Sequence, residues 1–198
     1  MIEFLHHIDI AVLLFVNGHH SPFFDILMLD FSAKFFWAPF YALLIYWIFK
    51  EKKWYGFLTL VFIALTITST DQLSVHAFKN VFMRLRPCHQ PSLEGLLHMI
   101  KYCGGLYGFV SSHAANSFGV LAFLNGFFRY KRPYVKWLMW VWALLIIYSR
   151  VYLGVHYPSD VLGGAIFGYI MGSIFIWLYR KSDHYLQQRL KKQTSITV

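Results

Sequence analysis

Charge is scarce in this chain of 198 residues: Asp, Glu, Lys and Arg make up 14% of it, and only nine residues are acidic. An average soluble domain carries about 25% charged residues, so too little polar surface is present to cover a water-soluble fold of this size. Cysteine is limited to Cys88 and Cys103, too few for a disulfide scaffold. No small-residue cleavage site follows an apolar stretch near Met1, and Glu3 interrupts the first such stretch, so a cleaved export signal is not expected. Apolar residues, in contrast, reach 58% and aromatics 20%, with a mean hydropathy of +0.48. Disorder, fibres and ordinary globular enzymes are excluded by that balance, and lipid is the solvent the chain calls for.

The net charge of +9 raises the question of nucleic acid, since basic surfaces often bind phosphate backbones. Its distribution excludes that partner. Twelve of the eighteen Lys and Arg fall in three clusters between apolar runs: Lys50, Lys52 and Lys53; Arg129, Lys131, Arg132 and Lys136; Arg180, Lys181, Arg189, Lys191 and Lys192. Spans expected at 34–49, 55–76, 111–128, 134–152 and 159–179 put all three on one side, which the excess of positive charge marks as cytoplasmic. Residues 2–17 and 22–33 are apolar but short and carry Glu3, Asp9, Asp25 and Asp30; they read as interfacial helices, or as a sixth span. The expected fold is all-α, a polytopic transmembrane bundle of five to six spans. Its organisation is an N-terminal segment 1–33, a membrane domain 34–180 with an outer loop 78–110, and a basic tail 181–198. Gly164, Gly168 and Gly172 form a small-residue stripe suited to close helix packing.

Lys79, Arg84, Arg86, Lys101 and Arg150, with Lys34 nearby, fall on the other face against the topological rule, so they need a separate reason. Three short segments supply it. Lys79, Arg86 and Pro87 lie within KNVFMRLRP; Ser111, Ser112 and His113 open a span; Ser149, Arg150, His156 and Asp160 lie within SRVYLGVHYPSD. Arginine forks and a lysine point charge suit a tetrahedral oxyanion. Ser111 and Ser112 form an N-cap signature, and Pro158 suits a first helical turn; two helix N-termini at the outer face would attract an anion. Asp160, four residues after His156, is placed to orient its imidazole. Each segment alone has a plainer reading: a polar interface anchor for a histidine, snorkelling for Lys79 and Arg86, a helix cap for Asp160.

Taken together, the three segments closely resemble the signature of the type 2 phosphatidic acid phosphatase superfamily, KxxxxxxRP, PSGH and SRxxxxxHxxxD, over about residues 55–180. The first and third blocks are complete. The second departs, with Val110, Ser111, Ser112 and His113 where Pro-Ser-Gly-His is usual, and the Ser for Gly adds a Cβ near the expected phosphate. The resemblance implies an α-helical fold shared with haloperoxidases and a membrane lipid phosphatase. In it His156 is the nucleophile that becomes phosphohistidine, Asp160 orients it, and His113 protonates the leaving oxygen. Lys79, Arg86, Arg150, Ser111 and Ser112 hold the phosphoryl group, with no metal or cofactor.

Asp71, Arg84 and Ser149 are candidate supporting residues; an acid inside an apolar span invites a functional role, and Arg84 is in reach of a head group. A disulfide between Cys88 and Cys103 is left open, and the segment between them is expected to rest on the lipid as an amphipathic roof. The expected substrate is a lipid phosphate or diphosphate: undecaprenyl diphosphate, phosphatidylglycerophosphate, phosphatidic acid or the phosphates of lipid A. The expected location is a bacterial cytoplasmic membrane, with the site on the extracytoplasmic face. The rivals are a non-catalytic lipid-phosphate binder or transporter, against which the two histidines argue, and haloperoxidase chemistry, against which the spans argue. The motifs read only the phosphoryl group and leave the lipid, protein partners and oligomeric state open.

Overall fold

A computed structural model describes residues 2–100, 102–129 and 133–194. Lys101, Lys131 and Arg132 lie outside the described residues, as do the side chains of Lys191 and Lys192. The fold is helical: α1 (Ile2–Gly18), α2 (Pro22–Ser32), α3 (Ala38–Lys52), α4 (Gly56–Leu73), a π-helical extension (Ser74–Lys79), the single turn α5 (Asn80–Phe82), α6 (Ser112–Phe127), α7 (Pro133–Tyr152) and α8 (Pro158–Thr194). Three helical stretches are long and apolar enough to cross a membrane: Phe35–Phe82, Pro133–Tyr152 and Pro158–Leu190. The first of them holds both α3 and α4, which fold back on each other past Lys53 (φ 49°), so that Leu44 and Ile48 share a core with Leu60 and Ile63. The helix α6, at 16 residues, is short for a crossing and lies inside the bundle, with nine buried residues from Ala114 to Leu124.

Packing of α6 against α8 sets the whole arrangement. A Cβ on Gly164, Gly168 or Gly172 would stand 2.5 Å from the Ser111 carbonyl oxygen, 2.1 Å from that of Ala115 and 2.1 Å from that of Gly119, respectively. Residues four apart on one helix thus meet residues four apart on the other, with backbone against backbone. The two helices run parallel, and their N-termini share one end of the bundle. The opposite edge of α8 carries Leu162, Ile166, Ile170, Ile174 and Trp177, each around half exposed, an apolar ridge suited to lipid and unsuited to water. The described basic clusters collect at the far end, where Lys52 pairs with Asp183 at 2.5 Å and Arg180 donates to the Gly126 carbonyl at 2.6 Å.

The N-terminal segment is more deeply built in than an interfacial helix. On α1, Leu13 is fully buried and Asp9 and Asn17 nearly so. The α1–α2 pair bends by 118° and is apolar enough to count together as one broken or re-entrant span. The outer segment has no long helix among its described residues and leaves Leu96 and Met99 exposed. It folds as two 3-10 turns, Pro87–His89 and Pro91–Leu93, closed by a disulfide between Cys88 and Cys103, whose Cα atoms are 6.1 Å apart. Leu93 and Leu97 point inward against Leu13 and Tyr157. Asn17 fastens this roof from below, donating to the His98 carbonyl at 3.0 Å and accepting from the His98 amide at 2.8 Å.

Candidate active site

Four helix ends meet where the sequence segments converge: the C-termini of α4 and α7 and the N-termini of α6 and α8. At the end of α7 the chain turns at Gly154, with φ 68°, a left-handed position glycine takes without strain. That turn carries His156 under the roof just before Pro158 starts α8. Ser111 caps α6, accepting from the Ala114 amide at 3.5 Å, while its own amide donates to the Asp160 carbonyl oxygen at 3.0 Å. The two helix starts are therefore tied together, and their dipoles point the same way into the site.

His156 and Asp160 are both buried. Nδ1 of His156 lies 3.4 Å from Oδ2 of Asp160, within ion-pair reach but without closing a hydrogen bond. The same Oδ2 accepts from the Tyr157 amide at 3.1 Å, and a Cβ on Gly108 would come within 2.8 Å of it. Burial, with Arg150, Arg86, His113 and Lys79 all close enough to add repulsion, holds the His156 imidazole well below the usual histidine range. The ring is held neutral at neutral pH, with Nδ1 turned to the carboxylate.

Each cation is fixed by the protein. Lys79, at the end of the π-helical turn, donates to the Ser112 hydroxyl at 2.7 Å, which also meets the Ser74 hydroxyl at 2.6 Å. A π-helical stretch of this kind often marks a functional position. Arg86 donates to the backbone carbonyls of Tyr107 and Cys103, both at 3.2 Å; burial lowers its affinity for the proton and Asp160 raises it. Arg150 bonds Ser32 of α2 and keeps a buried Nε donor that meets no protein acceptor. Burying a guanidinium N–H without an acceptor is costly, unless an anion completes it. The Ser that replaces the usual Gly at position 112 thus anchors a lysine.

The supporting candidates divide. Ser149 turns back onto its own helix, donating to the Ile146 carbonyl at 2.7 Å. Asp71 lines a cavity of about 410 Å³ together with Lys34, Ser112, His113 and Asn116 at its polar end, and Leu44, Ile48 and Leu124 deep in the bundle. Arg84 reaches Asp160 at 2.8 Å and Asp9 at 2.7 Å. Sequence reading missed Ser74, Ser32 and Asp9. For Asp9 a signal existed, an acid in an apolar helix; for the two serines none did.

The PAP2 superfamily model matches residues 60–183, from α4 through α8. The chain belongs to the PAP2 superfamily. It is 41% identical over 199 aligned positions to the lipid A 4'-phosphatase of Bacteroides thetaiotaomicron, covering 99% of this chain and 86% of that one. It is 32% identical to the lipid A 4'-phosphatase of Porphyromonas gingivalis, over 91% and 77% of the two chains. Its fold is similar to that of the transmembrane PAP2-type phosphatidylglycerolphosphate phosphatase from Bacillus subtilis, with a TM-score of 0.64 at 24% identity over 91% of this chain and 87% of that one. This PAP2 protein is accordingly a membrane phosphatase, and the segments read from the sequence fall within the matched region.

Proposed function

We propose that this PAP2 phosphatase removes a phosphate monoester from lipid A, at the 4' position, from the extracytoplasmic face of a bacterial cytoplasmic membrane. The observation that carries the chemistry is the neutral, buried His156 with its Nδ1 turned to Asp160 among three cations. Two relatives named for lipid A 4'-phosphatase activity, matched over most of their lengths, support the substrate. That favours the alternative among the lipids the motifs alone left open. The crossing pattern is five spans plus the bent α1–α2 pair, and the clusters at the far end face the cytoplasm.

In the mechanism, Nε2 of His156 attacks phosphorus as the P–O bond to the lipid breaks, and His113 gives its proton to the departing sugar oxygen. The product is free lipid hydroxyl and phosphohistidine. His113 then takes a proton from water, whose oxygen attacks phosphorus; the P–N bond breaks and inorganic phosphate leaves. Lys79, Arg86, Arg150 and the amides around Ser111 and Ser112 compensate the charge on the phosphoryl oxygens, and Asp160 supports the imidazolium character of His156. Three cations supply what a metal supplies elsewhere.

The test is a side-by-side assay of one detergent preparation on lipid A, undecaprenyl diphosphate, phosphatidylglycerophosphate and phosphatidic acid, with excess chelator throughout. Phosphate release should be fastest from lipid A. Preference for another lipid overturns the substrate, and strict dependence on added Mg²⁺ overturns the metal-free chemistry.

A further inference from the structure

Asp9, on the N-terminal helix and outside every signature segment, is 7% exposed and fully engaged. Its Oδ1 accepts from the Ser159 amide at 2.9 Å. Its Oδ2 accepts from the Ser159 hydroxyl and, at 2.7 Å, from Arg84. Arg84 in turn donates to Oδ1 of Asp160 at 2.8 Å and to the Ser159 hydroxyl at 2.6 Å, and its guanidinium lies 4.2 Å from the centre of the Tyr157 ring. The two oxygens of Asp160 thus have separate partners: Oδ1 is held by Arg84, and Oδ2 faces the Tyr157 amide and His156. Ser159 is in the first turn of α8, whose amides lack helical partners; α1 caps α8 from another part of the chain.

We propose that Asp9 and Arg84 are positioning residues, which fix the rotation of the Asp160 carboxylate so that Oδ2 addresses His156 and dock α1 onto the start of α8. A buried carboxylate with one free oxygen would swing. With Oδ1 clamped by a fork that is itself anchored to Asp9, it does not. Two carboxylates around one guanidinium leave a net negative charge for the histidine. A guanidinium used on two acids and a ring has both terminal nitrogens committed inside the protein, so Arg84 does not serve the substrate head group. The inference rests on the roles given to His156 and Asp160 above.

The test uses full-length protein in detergent, with lipid A as substrate and inorganic phosphate as a competing probe, for Asp9→Asn, Arg84→Lys, Arg84→Gln and the Asp9→Asn/Arg84→Gln pair. Misorienting one reacting group costs up to about a hundredfold in rate, so Arg84→Gln should lose roughly tenfold to a hundredfold in kcat, with KM and phosphate inhibition within about threefold of the parent. Arg84→Lys, which keeps one charged contact, should recover part of the loss. The double variant should fall little below Arg84→Gln alone, because the two residues act as one unit. Unchanged kcat with raised KM and weakened phosphate inhibition would show a head-group contact and overturn the positioning role. Losses that multiply in the pair would overturn the shared network. If Arg84→Gln does not fold, Asp9→Asn, which keeps the shape and an acceptor, decides the same question by the same kcat–KM split. A fully active Arg84→Gln beside an inactive His156→Ala overturns only this inference, whereas an active His156→Ala overturns the reading beneath it.

Discussion

Nδ1 of His156 stands 3.4 Å from Oδ2 of Asp160, and both side chains are closed off from solvent. The pair is poised rather than locked: no hydrogen bond is formed, and the imidazole is kept neutral by burial among cations. A nucleophile that gains positive character during attack would draw the carboxylate closer, so the attraction grows toward the transition state, where it lowers the barrier.

Loss of the proposed proton donor is separable from loss of the proposed nucleophile. His113→Ala should lower kcat by roughly 10²–10⁴, the usual span for a general acid–base group, with a smaller loss on a substrate whose leaving group needs no proton, such as an aryl phosphate. Steady-state rates on the two substrates check this; equal losses on both would argue against protonation of the leaving oxygen by His113.

Acid should destabilise the fold through His156. The folded chain holds this imidazole below the ordinary value of 6.5, so below that pH the unfolded chain takes up a proton that the folded one does not. Stability therefore falls as pH drops through about 6.5. The Tm in detergent should be lower at pH 5 than at pH 7, and His156→Gln should shrink that difference. An undiminished difference in the variant would assign the acid sensitivity elsewhere.

Much of this architecture was legible in the sequence. The three segments and the small stripe follow from local patterns, because helix ends and glycine spacing are written within a few residues. What stayed hidden depends on distant partners. Nothing around Ser32 announces that it bonds Arg150 118 positions later, and nothing in the apolar outer loop tells Leu93 and Leu97, which turn into the core against Leu13, from Leu96 and Met99, which stay exposed. The disulfide was open because two cysteines fifteen residues apart fit a bridge and free thiols equally well. Span counting also blurred, since α6 is short and enclosed by its neighbours.

The α6–α8 contact should be intolerant of a single methyl. Gly168→Ala puts a carbon where the Ala115 carbonyl oxygen already stands, at 2.1 Å, and overpacking of this kind costs about 1–3 kcal/mol. Because Ser111 to His113 begin the displaced helix, activity should fall along with Tm. Gly105→Ala, with nothing within 4 Å, is the matched control. A Gly168→Ala protein as stable and active as the parent would contradict the packing.

Reduction should loosen the proposed phosphate cradle from outside. Cys103 contributes a carbonyl to Arg86, and the bridge to Cys88 closes a loop for which chain entropy gives about 3 kcal/mol. Cys88→Ser or a reductant should lower Tm and weaken inhibition by inorganic phosphate. If phosphate inhibition survives unchanged, Arg86 is held by the rest of the loop without the disulfide.

Covalent chemistry at His156 is the claim on which the account turns, and trapping the intermediate tests it most directly. The protein should be mixed with lipid A labelled in its phosphate, quenched at alkaline pH within a turnover and digested for peptide mapping. The account predicts acid-labile, alkali-stable label on the peptide that carries His156, accumulating in His113→Ala if dephosphorylation is slowed more than attack, and absent from His156→Ala. Label on another residue, or rapid turnover by His156→Ala with no labelled protein, would contradict it.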